Sequence, residues 1–392
     1  MKPVKIFISA LEYSANLHLL KLLDVFSKKE IPFILYGIFD TEVLKSYKSN
    51  FKSNLHNNSQ NILNPSSFRV MGFSGILKLI PKFFSIKKEL AKLASTSDIA
   101  LFMDSSSFNI PLIRSIKKHS NNANHSPHIV YYILPQVWAW KAYRAKILSE
   151  ICDSLWGILP FECDFYPSNA NLHYVGHPLL DSIPFSFKAR QNSLKIAFMP
   201  GSRKAEIHTL FPIFKTLAKI LKNQGKIPLL IIPQTFKDKD LSVIYGDFSD
   251  FEVVFDTYAG LKQCAFAFVC SGTATLESTL LGIPTILAYK TRTLDYYIAK
   301  ALVKLNFIGL ANIFLEFYAY KTPKNNPNPK IPPIHPEFLQ HCVTPQNLLN
   351  AYETFDYTHF FTQKAKLIEY LKHGSAQTCA INLENLIKNL QK

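Results

Sequence analysis

Two short turns in the second half of the chain carry residue types suited to holding a diphosphate. The first, Pro200-Gly201-Ser202-Arg203, interrupts the apolar run Leu194-Lys-Ile-Ala-Phe-Met199 and opens a helical stretch reaching Leu221. Glycine permits a tight bend, serine is a favoured helix cap, and arginine adds a permanently charged, two-pronged donor. The second, Ser271-Gly272-Thr273, lies between the apolar Phe266–Cys270 and a helical stretch bearing Glu277. At such junctions backbone N–H groups, hydroxyls and the helix dipole converge on one anion. Glu277 is placed to hydrogen-bond ribose hydroxyls. One such turn reads as an ordinary strand–turn–helix junction; two in one α/β region point to a nucleotide diphosphate.

The elements that must position these turns alternate strand and helix along the whole chain. Strands are expected at Val4–Ser9, Phe33–Tyr36, Ile99–Met103, Ile129–Ile133, Ser154–Leu159 and Leu172–Val175. The second half repeats the pattern at Leu194–Met199, Leu229–Pro233, Phe251–Phe255, Phe266–Cys270 and Thr285–Ala288. Helices are expected at Leu17–Lys28 and Ile110–Lys118, and long polar loops at 48–68 and 322–333. This alternation predicts parallel sheets covered on both faces, an α/β class with two Rossmann-like domains in series facing a central cleft. The domains are expected at 1–185 and 186–345, with a linker near Pro178–Ser193 and a helical segment over 346–392.

The 392 residues suffice for two such domains. A net charge of +16 favours anionic partners: phosphorylated substrates, acidic membrane or nucleic acid. The lysines are dispersed, and neither zinc-finger spacing nor an RNA-binding aromatic signature is present, so nucleic acid ranks last. The six cysteines form no CxxC pair, which argues for a reducing compartment without disulfides or a metal site. His177 has no partner spaced to share a metal, and Asp238-Lys-Asp240 reads as a solvated loop. The N-terminus lacks a signal-peptide pattern, and no apolar run reaches the roughly 18 residues of a membrane span. The segment 71–88 differs from the rest. Met71, Phe73, Ile76, Leu79 and Phe83 are interleaved with lysines, which suits a segment seated among anionic headgroups or an amphipathic helix facing the core.

A set of motifs in order resembles the lipid-A-disaccharide synthase family, inverting glycosyltransferases of the GT-B architecture. Pro135-Gln-Val-Trp-Ala-Trp140, with Arg144 after it, is similar to the family's PxVWAW stretch; Leu159-Pro-Phe-Glu162 with Phe165-Tyr166 is similar to LPFE…FY. Gly176-His-Pro-Leu with Asp181 is similar to GHPLxD, Pro200–Glu206 to PGSRxxE, and Ser271–Glu277 to SGTAxLE. The resemblance runs from Glu12 to Gln340.

The resemblance implies transfer of 2,3-diacylglucosamine from its UDP derivative to 2,3-diacylglucosamine 1-phosphate, releasing UDP. Gly201, Ser202, Arg203, Glu206, Ser271, Gly272, Thr273 and Glu277 would then hold the donor. Arg203 and the amides of the second turn can take the leaving-group charge, so neither metal nor cofactor is expected. The attacking hydroxyl requires a general base. Asp104 matches the first acid of the family's DxPDFN stretch and follows a strand, where open α/β sheets place ligands. Glu12 matches the glutamate of GETSGD. Ser14 of that loop, Asn312 of the PNxL stretch and Gln340 of the PELLQ-like segment are further expected substrate contacts. Trp138 and Trp140 are expected to pack the first domain. Substrates are the expected partners, with the cytoplasmic face of an anionic inner membrane as the place of action.

The chain departs from the family where Leu11-Glu-Tyr-Ser-Ala-Asn16 replaces GETSGD, and where Ser107 replaces the second acid of DxPDFN. Three rivals share parts of the pattern: another GT-B UDP-sugar glycosyltransferase, a UDP-sugar epimerase, and an inactive lipid- or nucleotide-binding protein.

Overall fold

In the computed structural model the described residues are 3–29, 31–40, 42–43, 45, 60–63, 80–120, 125–183, 192–290, 306–320 and 332–391, with backbone only for 60–63, 80–86 and 235. The segment expected at the membrane falls outside this description: residues 71–79 are not described, and Phe83 is described only as backbone within the helix Ile80–Ala94.

Two parallel sheets form the scaffold. Strands β1 (Val4–Ala10), β2 (Phe33–Ile38), β3 (Gln60–Leu63), β4 (Ile99–Met103), β5 (His128–Tyr132), β6 (Ser154–Gly157) and β7 (Leu172–Tyr174) form a seven-stranded sheet in the order 3-2-1-4-5-6-7. Strands β8 (Lys195–Met199), β9 (Ile227–Ile231), β10 (Glu252–Val254), β11 (Phe266–Cys270), β12 (Thr285–Tyr289) and β13 (Glu337–Leu339) form a six-stranded sheet in the order 10-9-8-11-12-13. The strands are short apolar runs buried on both faces, as parallel sheets require: β4 and β11 have no solvated position.

Strand order reverses at one point in each sheet, between β1 and β4 in the first and between β8 and β11 in the second. There the connections diverge to opposite sides and leave a crevice at the carboxyl ends of the strands. Register places Ala10 beside Met103 and Met199 beside Val269, so the turns that follow these strands are neighbours.

The chain divides into two compact units, Met1–Ser182 with Leu371–Lys392, and Ile183–Tyr370. The helical tail 346–392 is therefore shared out. Pro345–Glu353 and most of Tyr357–Leu371 belong to the second unit, whereas Ala376–Leu390 belongs to the first. Cys379, Ala380, Leu383 and Ile387 of that last helix enter the core beside Leu19, Leu22, Leu23 and Phe26 of the helix Tyr13–Ser27. Asp181, from the GHPLxD motif, fastens its start. The carboxylate accepts from the Ser375 N–H at 3.0 Å, the Ser375 hydroxyl at 2.9 Å and the Ala376 N–H at 3.1 Å. His177 of the same motif accepts the Leu179 N–H through Nδ1 at 3.3 Å, and full burial keeps its ring neutral.

Two strands were not legible as such. β3 lies inside the stretch expected to be a loop, because its residues are Gln-Asn-Ile-Leu at the sheet edge, beside β2 alone among the described residues. β13 lies in the PELLQ-like segment and, among the described residues, pairs only with β12. The other expected strands are present, within two residues at each end.

Candidate functional site

The first turn is built around Glu206. Arg203, in extended conformation, is the N-cap of the helix Lys204–Asn223, in place of the expected Ser202. The Glu206 carboxylate, one turn in, accepts the N–H groups of Ser202 at 3.3 Å and Arg203 at 3.2 Å. Its other oxygen takes the Arg203 guanidinium at 2.8 Å. The first-turn donors therefore already face a carboxylate, the chemistry an incoming phosphate would replace. Gly201 is required here. Its φ is 109°, and a Cβ would stand 2.6 Å from the Glu206 carboxylate and 3.3 Å from the Cys270 sulfur. The second of these distances shows that the first turn abuts the end of β11.

At that end Ser271 and Gly272 lead into the helix Thr273–Leu280. Gly272 has φ 149° and ψ −166°, and a Cβ on it would meet nothing within 4 Å, so the demand is conformational and the space beyond is open. Thr275 turns inward, its hydroxyl donating to the Gly272 carbonyl at 2.8 Å, whereas Thr273 and Gly272 are exposed. Glu277 lies one turn further on. Burial first, and the Asp256 charge second, push its carboxyl up to about 7.

In the first unit the switch point carries both candidate carboxylates. Glu12 stands at the N-cap position of the helix Tyr13–Ser27 after β1, without a side-chain capping bond, and Asp104 follows β4. Asp104 and Ser105 have φ of 49° and 38°, a left-handed backbone that costs a non-glycine residue on the order of 1 kcal/mol. Asn109 holds them there. Fully buried, it donates to the carbonyls of Met103 at 3.1 Å and Asp104 at 2.9 Å, and accepts the Ser9 hydroxyl at 2.7 Å. The Tyr131 hydroxyl donates to the same Asp104 carbonyl. The carboxyl of Asp104 accepts the Ser105 N–H at 2.7 Å. Burial raises its pKa, and the Glu12 charge raises it further, against the lowering effect of that N–H. The charge of Glu12 is thus felt at Asp104.

The altered loop at 11–16 is braced by its own substitution. Asn16 donates to the carbonyls of Ala10 at 3.0 Å and Glu12 at 2.8 Å and accepts the Asp40 N–H at 2.7 Å. An ionised aspartate at this position has no proton for the first two bonds. Ser14 is exposed on the first turn of the helix.

Other sequence candidates are placed differently. Asn312 is 2% exposed, and its amide is engaged on both sides, by Glu337 at 2.7 Å, the His335 carbonyl at 3.0 Å and the Ile334 N–H at 2.8 Å. It braces the segment entering β13 and presents no amide atom outward. Gln340 follows β13 with φ 54° and starts a short 3-10 turn. Glu162 of the LPFE motif is buried and accepts the N–H groups of Ile158 at 2.8 Å and Leu159 at 3.0 Å, and burial pushes its carboxyl up to about 8. Asp240 caps a helical turn by accepting the Ser242 N–H at 2.9 Å. Trp138 packs as expected, edge-on to Phe161. Trp140 does not. It is 47% exposed, because it sits in the loop after β5 beyond the last buried layer. Asn109, Tyr131 and Arg144 were missed as organisers of the Asp104 loop, although Asn109 stands within the DxPDFN match.

Solved structures share this architecture over nearly the full chain. The glycotransferase of kitacinnamycin superposes with a TM-score of 0.58 at 12% identity, covering 98% of this chain and 100% of that one. A Listeria monocytogenes structure described as a UDP-N-acetylglucosamine 2-epimerase gives 0.56 at 11%, covering 99% and 96%. Two parallel α/β units, each with its carboxyl-end crevice, define the GT-B class of fold, which the chain shares with these structures. Within that class the chain belongs to the lipid-A-disaccharide synthetase family, whose profile matches residues 6–380. Lipid-A-disaccharide synthase of Helicobacter pylori strain J99 is 42% identical over 387 residues, covering 97% of this chain and 98% of that protein. The Campylobacter jejuni strain RM1221 synthase is 41% identical over 384 residues, covering 95% and 97%. The chain is thus a glycosyltransferase of lipid A biosynthesis.

Proposed function

We propose that the enzyme transfers 2,3-diacylglucosamine from UDP-2,3-diacylglucosamine to the 6-hydroxyl of 2,3-diacylglucosamine 1-phosphate, giving the β-1,6-linked disaccharide 1-phosphate and UDP. The observation that carries this reading is the placement of the motifs. Both phosphate-suited turns follow adjacent strands at the switch point of one sheet, and both carboxylates follow adjacent strands at the switch point of the other. Asp104 takes the hydroxyl proton, the oxygen attacks the anomeric carbon, and the bond to UDP breaks with its electron pair leaving on the diphosphate. Arg203 and the amides of Ser271–Thr273 receive that charge, Glu277 accepts from the ribose hydroxyls, and the anomeric configuration inverts. The lysine-rich segment 71–88 and the net charge of +16 support docking on an anionic membrane surface.

The experiment supplies both acylated sugars in anionic vesicles and follows UDP release and sedimentation of the protein. UDP is expected only with both sugars present, and the protein is expected in the pellet. UDP release without acceptor would remove the transfer reading, and a protein left in the supernatant would remove the membrane docking.

Donor binding should depend on pH through Glu277. Only the ionised carboxylate accepts from both ribose hydroxyls, so affinity should rise as pH passes upward through about 7. A UDP-sugar is the ligand to titrate, because its diphosphate stays fully ionised across this range. Glu277→Gln should flatten the profile; an unchanged slope in that variant would detach Glu277 from the ribose.

A further inference from the structure

Arg144, in the helix Tyr143–Ile151 after β5, has the partners of a waiting anion site rather than of a structural ion pair. Its guanidinium donates to the Ser106 hydroxyl at 2.7 Å and the Ser107 hydroxyl at 3.4 Å. Both acceptors are neutral, and Arg144 makes no ion pair among the described residues. Ser107 brings a neutral hydroxyl, and no carboxylate, to this fork. The Trp140 ring holds the arrangement from the side. The Arg144 Cζ lies 5.7 Å and the Lys141 Nζ 4.3 Å from its centroid, which sets two cations on one indole. Lys141 also makes no ion pair among the described residues and reaches this position through a left-handed backbone, φ 50°. Ser106 and Ser107 open the helix that follows Asp104 and Ser105, so the site borders the loop of the candidate base.

We infer that Arg144, Lys141, Ser106 and Ser107 bind a phosphate monoester, and that on the proposed reaction it is the 1-phosphate of the acceptor. The inference rests on that reaction for the identity of the ligand, and on geometry for its charge. A monoester carries nearly two negative charges and three terminal oxygens, which matches a two-pronged guanidinium, an ammonium and two hydroxyl donors. The donor diphosphate is the less suitable occupant, because the unit holding β8 and β11 provides its own two turns. Anchoring the acceptor by the phosphate beside Asp104 would limit which of its hydroxyls meets the base, so these residues act as positioning residues.

The test compares the 1-phosphorylated acceptor with the same diacylglucosamine lacking phosphate, in wild type, Arg144→Ala and Arg144→Lys. Wild type should favour the phosphorylated acceptor at least about tenfold in kcat/KM. Arg144→Ala should raise KM for that acceptor about 10- to 100-fold, leave donor KM unchanged and bring the two acceptors level. Arg144→Lys should fall between, since it keeps the charge and loses the fork. Equal losses for both acceptors in Arg144→Ala would mark a structural residue and overturn the site, as would no loss for either. A second readout is independent of turnover: glucosamine 1-phosphate titrated against the intrinsic fluorescence of Trp140, with Trp140→Phe as the blank. Saturation in wild type that Arg144→Ala abolishes supports the site even if the transfer assay fails, in which case only the reaction falls. No saturation in wild type overturns the site itself. Sedimentation on anionic vesicles should be equal in wild type and Arg144→Ala; a loss there would assign the cations to lipid headgroups instead.

Discussion

Asp104→Asn is expected to lower kcat about a thousandfold while leaving KM for the donor within about twofold, since removal of a positioned general base typically costs between about a hundred and ten thousand in rate. The amide keeps the size and hydrogen-bonding geometry of the side chain and loses its capacity to take a proton. Its backbone should stay in place, because the bonds from Asn109 and Tyr131 go to the main-chain carbonyl of Asp104. Glu12 supplies the internal check. Its charge raises the pKa of Asp104, so Glu12→Gln should lower that pKa and move the acid limb of the kcat profile to lower pH, with turnover retained at its plateau. If Glu12→Gln abolishes turnover and Asp104→Asn spares it, the roles of the two acids are exchanged.

Arg203→Ala is expected to weaken binding of the UDP-sugar donor by tenfold to a hundredfold, the equivalent of one charge-assisted hydrogen bond of about 1.5–3 kcal/mol. Thermal stability should change little. The Arg203 side chain is 81% exposed, and its pairing with Glu206 is of the exposed kind that contributes below about 1 kcal/mol. A large fall in melting temperature without loss of donor affinity would place Arg203 in the scaffold instead. The companion residue behaves differently. Glu206 is 12% exposed and holds two backbone donors of the turn, so Glu206→Gln, which still accepts both, should preserve the turn and remove a negative charge that opposes the diphosphate. Isothermal titration with a UDP-sugar checks both variants.

Much of the scaffold was legible because its signal is local. β4 and β11 are uninterrupted apolar runs closed by small polar residues, and each needs only its own composition to be recognised. The glycine-and-hydroxyl turns were legible for the same reason, since the bend and the donors lie within a few consecutive residues. Asp104 was found from its place after a strand. What the local pattern lacked was partners. Asn312 looks like a substrate amide in its motif, and only the chain returning through Ile334, His335 and Glu337 shows that its amide is spent on bracing. β3 escaped notice because its four residues, two of them amides, make too short an apolar run to be read as a strand, and its pairing with β2 is made by the backbone.

The sequence by itself determined the α/β alternation, the two phosphate-suited turns, the carboxylates after the first and fourth strands, and the family. Tertiary structure decided which of these meet. Strand order brings Met199 beside Val269 and Ala10 beside Met103 across long separations, and it returns the helix Ala376–Leu390 to the unit begun by Val4. It also decided ionisation, since burial and a neighbouring charge, neither present in an isolated segment, raise the carboxyls of Asp104 and Glu277. The physical reason is the same in each case: periodicity and turn chemistry act between residues adjacent in sequence, whereas desolvation, pairing and register act between residues adjacent only in space.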